Sequence, residues 1–207
     1  MVEITDAYLP SEVKEAFESA DLVYESVILK SIAYLQDDII VLLEFSLGED
    51  SPKQFWELKV VNAQDEKIVR TWATYVQVYT DHYLLWPFTD EDAELCINGT
   101  NDSPEKLVAD FYSLHQAAFG EWLAIDCYVS DLPEKAKSKF AQFAKGPKKI
   151  LEYYASWLAN HGRNPYFLNF EGLANANARV VRTPLKLLTF GECYFIGEDF
   201  VFTKRKE

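Results

Sequence analysis

The chain has 207 residues, with 20 basic side chains against 33 acidic ones, a formal charge of −13, and 49% apolar residues of which many are aromatic. Such a composition folds, so intrinsic disorder, collagen-like and coiled-coil architectures are excluded. At this length a chain buries roughly 70% of the surface of its unfolded form, and neither metal nor disulfide is required for stability. The negative balance repels phosphate backbones and anionic bilayers, which argues against nucleic-acid and membrane partners.

In chain order, Ser11 opens a helix that is placed to end near Ala20. Val13, Phe17, Ala20, Tyr24, Val27, Ser31 and Tyr34 also fit a longer helical stripe. The β-branched density of Val23, Val27, Ile28 and Ile32 favours a strand beyond that point. Strands are predicted over 23–35, 38–46, 54–61, 68–79, 82–88 and 93–98, separated by turn residues such as Asp37-Asp38 and Asn62-Ala63-Gln64-Asp65. Connections this short hold no crossover helix, so a meander of about six antiparallel strands is expected.

The second half changes character. Ser103-Pro104-Glu105 starts a helix with Leu107, Phe111, Leu114 and Ala118 on one side and Gly120 as its stop. Residues 121–129 read as a strand. Asp131 and Pro133 open a short helix carrying Ala136, Phe140, Phe143 and Ala144, and Pro147 opens another with Ile150, Leu151, Tyr154, Trp157 and Leu158, closed by Gly162. From Tyr166 the chain returns to strand, and Cys193–Ile196 with Phe200–Thr203 reads as a hairpin around Gly197-Glu198-Asp199. The expectation is a single α+β domain over residues 1–207: an antiparallel meander, helices packed on one face and a C-terminal β-hairpin returning to the sheet.

The charge is unevenly placed. Residues 1–102 hold 6 basic and 21 acidic side chains, a balance of −15, whereas 103–207 hold 14 and 12, a balance of +2. Alternating strand directions would bring the first, third and fifth connections of the meander to one end, collecting Asp37, Asp38, Asp65, Glu66, Asp90, Glu91 and Asp92. Acids in turns serve as turn formers in any protein. Gathered at one end they also make a recognition surface for a cationic partner, with charge raising the association rate. The opposing stretch Lys135, Lys137, Lys139, Lys145, Lys148 and Lys149 offers a further arrangement, folding against the acids or meeting them on a second copy. Tyr83-Leu84-Leu85-Trp86-Pro87-Phe88 reads as an edge strand, because proline removes a ladder donor, and Trp86 is its candidate anchor for a partner.

Catalytic signatures are missing from the sequence. The eight glycines form neither G-x-G-x-x-G nor a phosphate loop, and there is no G-x-S-x-G, His-Glu-x-x-His or Cys-x-x-Cys. Asp90-Glu-Asp92-Ala-Glu94 lacks the glycine and final glutamate of a calcium loop. No metal site and no cofactor are expected. His82 reads as a turn residue and His115 as a hydrogen-bonded packing residue. His161 is the exception, since Arg163 follows it and Arg179 and Arg182 lie in the next strand region, so the four could form a small anion pocket. Cys96, Cys127 and Cys193 are widely spaced and odd in number, which reads as buried free thiols in a reducing compartment. With no basic leader followed by an apolar run, the expectation is a cytoplasmic, non-enzymatic module for binding another protein or a second copy of itself, of the broad acidic inhibitor or immunity type. The alternative is an enzyme binding a small molecule or anion in the C-terminal half.

Overall fold

The computed structural model describes residues 3–4, 8–18, 25–47, 52–69, 72–100, 103–168 and 184–206. The chain is α+β with antiparallel sheets throughout, and it divides into two compact units. Unit 1 comprises residues 1–85 and 181–207, and unit 2 residues 86–180.

Unit 1 contains β1 (Glu3–Ile4), α1 (Ser11–Glu18), β2 (Glu25–Leu35), β3 (Asp38–Leu47), β4 (Gln54–Val61), β5 (Asp65–Lys67), β6 (Trp72–Ala73) and β7 (Gln77–Asp81). After unit 2 the chain returns as β11 (Lys186–Phe190), β12 (Cys193–Gly197) and β13 (Asp199–Lys204). Two five-stranded sheets result, in the orders β13-β4-β3-β2-β6 and β1-β7-β11-β12-β5. Both supply one core, in which Val41, Leu43, Phe45 and Leu58 of the first sheet join Val78, Leu188, Phe190 and Phe195 of the second, all without solvent exposure. Alternation explains the placement: odd residues of β3 from Ile39 to Phe45 face inward, as the period of a half-buried strand requires. The helix begun at Ser11 ends at Glu18, and residues 25–35 are strand, which decides against a helix running through them; residues 19–24 lie outside the described region.

The meander persists through β2, β3 and β4 and then departs from expectation. The strand predicted over 68–79 is two short strands, β6 pairing with β2 and β7 with β11, because the bend at Thr74–Val76 lets consecutive residues serve different sheets. The hairpin predicted over 193–203 is corrected too. A lone residue, Glu198, separates β12 from β13, too short a link to fold one strand back on the other. β12 instead pairs with β11 across Gly191-Glu192, and β13 pairs with β4. Gly197 makes the switch possible: a Cβ there would stand 2.7 Å from Val60 Cγ1 and 2.8 Å from the Val61 carbonyl oxygen.

Unit 2 contains α2 (Trp86–Thr89), β8 (Asp92–Asn98), α3 (Pro104–Phe119), a 3-10 turn (Ile125–Cys127), α4 (Leu132–Lys137), β9 (Phe140–Pro147), α5 (Lys148–Asn160) and β10 (Asn164–Leu168). Its sheet has the order β10-β8-β9, with α5 in contact with all three strands. Phe111 of α3 is the centre of its core, with its ring centroid 5.1 Å from Phe143, 4.9 Å from Tyr154 and 5.5 Å from Trp157. Three expectations are corrected here. Residues 82–88 are a turn leading into the single helical turn α2, since Pro87 suits a first turn better than a strand ladder. Residues 121–129 form turns and the 3-10 segment, and residues 140–144 belong to β9. Phe143 and Ala144 are buried as predicted, but pairing with β8 overrides the helical pattern. Among the described residues no helix is long and apolar enough to cross a membrane.

Candidate functional site

The acids of the first and third connections meet at one end of unit 1. The β2–β3 turn, Gln36-Asp37, is held to the segment after β4 by the Ala63 N–H donating to the Asp37 carbonyl (2.7 Å) and the Asn62 N–H donating to Asp38 Oδ1 (3.0 Å). Asn62 takes a left-handed φ of +47°, as asparagine tolerates, and its side-chain amide donates to Glu198 Oε2 at 2.8 Å. The Glu198 N–H closes the ring on the Val61 carbonyl. Three connections, from Asp37 to Asp38, Asn62 to Glu66 and Glu198 to Asp199, are thereby brought together.

Within this cluster the carboxylates differ. Asp38 forms an ion pair with Lys59 at 2.7 Å, and that contact, reinforced by the Asn62 N–H, holds its pKa below the ordinary carboxylate value. Lys186 does the same for Asp199 at 2.8 Å. Asp65 accepts from the Tyr194 hydroxyl (2.8 Å) and Glu66 from the Tyr34 hydroxyl (3.0 Å), which sets the orientation of each carboxylate. The Glu66 contact raises the Tyr34 pKa. Asp37 is exposed. Beside it Tyr34 and Leu35 are 59% and 57% exposed, placing an aromatic and an aliphatic side chain next to the acids.

Asp90, Glu91 and Asp92 lie in unit 2 and do different work. Pro147, at the N-cap of α5, has no side-chain oxygen to offer the helix. Asp90 supplies one from a distance in sequence: its Oδ2 accepts the Lys149 N–H at 2.7 Å. Glu91 pairs with Lys148 at 2.6 Å and its carbonyl accepts the Lys148 N–H. Lys148 and Lys149, at the end of the lysine stretch, thus fold locally onto these acids, with Lys145 3.6 Å from Glu94, whereas Lys135 donates to the Phe143 carbonyl and Lys137 pairs with Glu134. Asp92 is exposed at the start of β8, where it pairs in register with Pro147. Trp86 is half-buried on α2, with the Lys149 ammonium 5.4 Å from its ring centroid. Because its segment is helical, it offers no strand edge to a partner.

His161 and Arg163, two residues apart, take opposite environments. His161 is exposed, stacks on Trp157 with ring centroids 3.8 Å apart, and places Nδ1 2.8 Å from the Trp157 carbonyl oxygen. Arg163 is 2% exposed. One of its terminal nitrogens donates to the Ser138 carbonyl at 2.6 Å, while Nε and Nη1 are buried without a hydrogen-bond partner. Arg179 and Arg182 lie outside the described residues.

The other histidines are packing residues. His82 is 9% exposed between Tyr79 and Tyr83, accepts the Leu84 N–H at 3.2 Å, and has its pKa pushed down to about 4 by burial. His115 is buried with both ring nitrogens occupied. All three cysteines are free, but only Cys96 and Cys193 are buried; Cys127 is exposed. Among the described residues no group of three or more His, Cys, Asp or Glu side chains is arranged to hold a metal ion.

Sequence reasoning missed Glu198, Asp199, Tyr34 and Leu35 as members of the acidic end. Reading β12 and β13 as a hairpin hid the first two. The signal for Tyr34 and Leu35 was their position immediately before the Gln36-Asp37 turn. No known protein family, curated protein or solved structure matches the chain.

Proposed function

We propose that the protein is a cytoplasmic, non-enzymatic binding module that engages a basic partner protein through the acidic end of unit 1. The observation that carries this reading is the convergence of Asp37, Asp65, Glu66 and Glu198 from separate connections beside exposed Tyr34 and Leu35. An aromatic anchor rimmed by charge is the composition that interfaces favour, and the acids steer a cationic partner toward it. Unit 1 holds 20 acidic and 11 basic residues, a balance of −9, against 13 and 9 in unit 2, a balance of −4. Three free thiols accord with a reducing compartment.

The test is affinity capture from host lysate at low and high salt, with the double variant Asp37→Lys, Glu66→Lys as control. The expected result is a basic protein recovered in stoichiometric amount at low salt and lost from the double variant. Recovery that ignores both salt and charge reversal, or stabilisation by a small anionic metabolite with no protein recovered, overturns it in favour of the anion-binding reading.

A further inference from the structure

The outer edge of β2 is only partly used. Of its eleven residues, Val27 and Ile28 pair with Ala73 and Trp72 of β6, and no other described strand pairs on that side. The segment from Lys30 to Leu35 therefore borders solvent, and every residue in it except Ile32 is exposed. Leu35 and Asp38 close the two-residue turn, which makes them a hydrogen-bonded pair. Hydrogen-bonded and non-hydrogen-bonded pairs alternate along an antiparallel ladder. The N–H and C=O of Ile32 and Tyr34 consequently point away from β3.

These outward groups are symmetric about Ala33, and the charges flanking them are opposite in sign at the two ends. One end of the segment carries Lys30; the other carries Asp37 and Glu66, and the end as a whole is acidic. We propose that a second copy of the chain docks here, two β2 edges pairing antiparallel about a twofold axis at Ala33. In that register Ile32 of each copy faces Tyr34 of the other, and the four outward groups of each strand find partners. The small Ala33 side chains meet at the axis, where the narrow spacing of a non-hydrogen-bonded pair leaves little room. Lys30 of each copy, paired with Glu44 of its own chain, lies opposite the Gln36-Asp37 turn of the other, so unlike charges face each other at both ends. An exposed edge with apolar side chains is the feature that other proteins hide, and isologous pairing is the symmetric way to cover it. Six residues of strand bury less than a standard interface, so the dimer dissociates in the micromolar range.

The experiment is sedimentation velocity on the purified full chain over concentrations up to about 1 mM. A reversible monomer–dimer equilibrium is expected. Tyr34→Pro removes an outward N–H and sets its ring where the neighbouring strand must lie, while leaving the ladder to β3 intact. Ala33→Lys places two like charges at the axis. Each should weaken dimerisation by about tenfold or more, with circular dichroism reporting that the fold is kept. Should either variant unfold, amide hydrogen exchange in the wild type decides, since the Ile32 and Tyr34 amides must slow as concentration rises. A chain that stays monomeric throughout, a dimer indifferent to both substitutions, or Ile32 and Tyr34 exchange independent of concentration overturns the proposal. Ala33→Lys leaves Tyr34, Leu35 and the acids in place, so with that variant dimerisation and capture of a basic partner succeed or fail separately, whereas Tyr34→Pro also removes the aromatic side chain of the proposed partner surface.

Discussion

His115 Nδ1 lies 2.7 Å from the Tyr154 hydroxyl, and Nε2 of the same ring lies 2.7 Å from the Leu123 carbonyl oxygen. A carbonyl only accepts, so in the neutral ring Nε2 carries the hydrogen and Nδ1 receives the tyrosine O–H. Tyr154 has no exposed surface, and burial raises its pKa far above the ordinary value, keeping the hydroxyl a donor. Three elements are tied by this pair: α3, α5 and the turn after α3. Tyr154→Phe leaves the buried Nδ1 without a partner and should cost about 1–3 kcal/mol in denaturant unfolding. A loss within error of zero would mean that water reaches the site.

Gly197 should resist the smallest substitution. Gly197→Ala drives a methyl into the Val61 carbonyl, a backbone atom unable to rotate away, at the point where the chain leaves one sheet for the other. Destabilisation of about 1–3 kcal/mol is expected. The same change at Gly162, where a Cβ meets nothing within 4 Å, tests backbone strain alone, because its φ is +74°.

Stability should fall with acid in two stages. The folded pKa of His82 is about 4 against 6.5 for the free side chain, so the unfolded chain binds the proton more readily. The contribution of neutral, buried His82 is complete above pH 6.5 and disappears as pH falls toward 4, in the limit on the order of 3 kcal/mol. Carboxylates behave differently. Glu44 is buried between Lys53 (2.5 Å) and Lys30 (2.9 Å), and these hold its pKa below the usual value, as Lys59 does for Asp38. Their contribution is present above the ordinary carboxylate pKa and is lost only below it. Thermal melts from pH 7 to pH 3 should show both stages, and His82→Asn should remove the first while sparing the second.

Arg163 is predicted to be dispensable for folding. Its guanidinium is buried with two nitrogens unpartnered and makes one hydrogen bond, to the Ser138 carbonyl. Removing such a charge in favour of an apolar side chain of similar length recovers its desolvation cost. Arg163→Met should leave stability unchanged or raise it by up to about 4 kcal/mol, read as the urea midpoint. A marked loss would show that the single bond to Ser138 outweighs desolvation.

Asp90 should act as a helix cap. Asp90→Ala removes the acceptor for the Lys149 N–H and the negative charge at the N-terminus of α5, and a loss of about 1 kcal/mol is expected. Asp90→Asn keeps the acceptor and should recover most of it.

Local periodicity carried the parts of this protein whose partners are near in sequence. The stripe Leu107, Phe111 and Leu114 marks α3, and alternation marks β3, because one buried face suffices to define each period. The uneven charge was likewise visible, as was the turn pair Asp37-Asp38. Tertiary structure decided the rest. Phe143 and Ala144 suit a helix or a strand, and only the vacant edge of β8 chose between them. Whether Glu198 joins a hairpin or links two sheets depended on the space beside Gly197, which Val60 and Val61 define from elsewhere in the chain. The acids illustrate the same division. Their number is a property of composition, but Asp90 caps a helix and Asp37 faces solvent because different strands and helices arrived beside them.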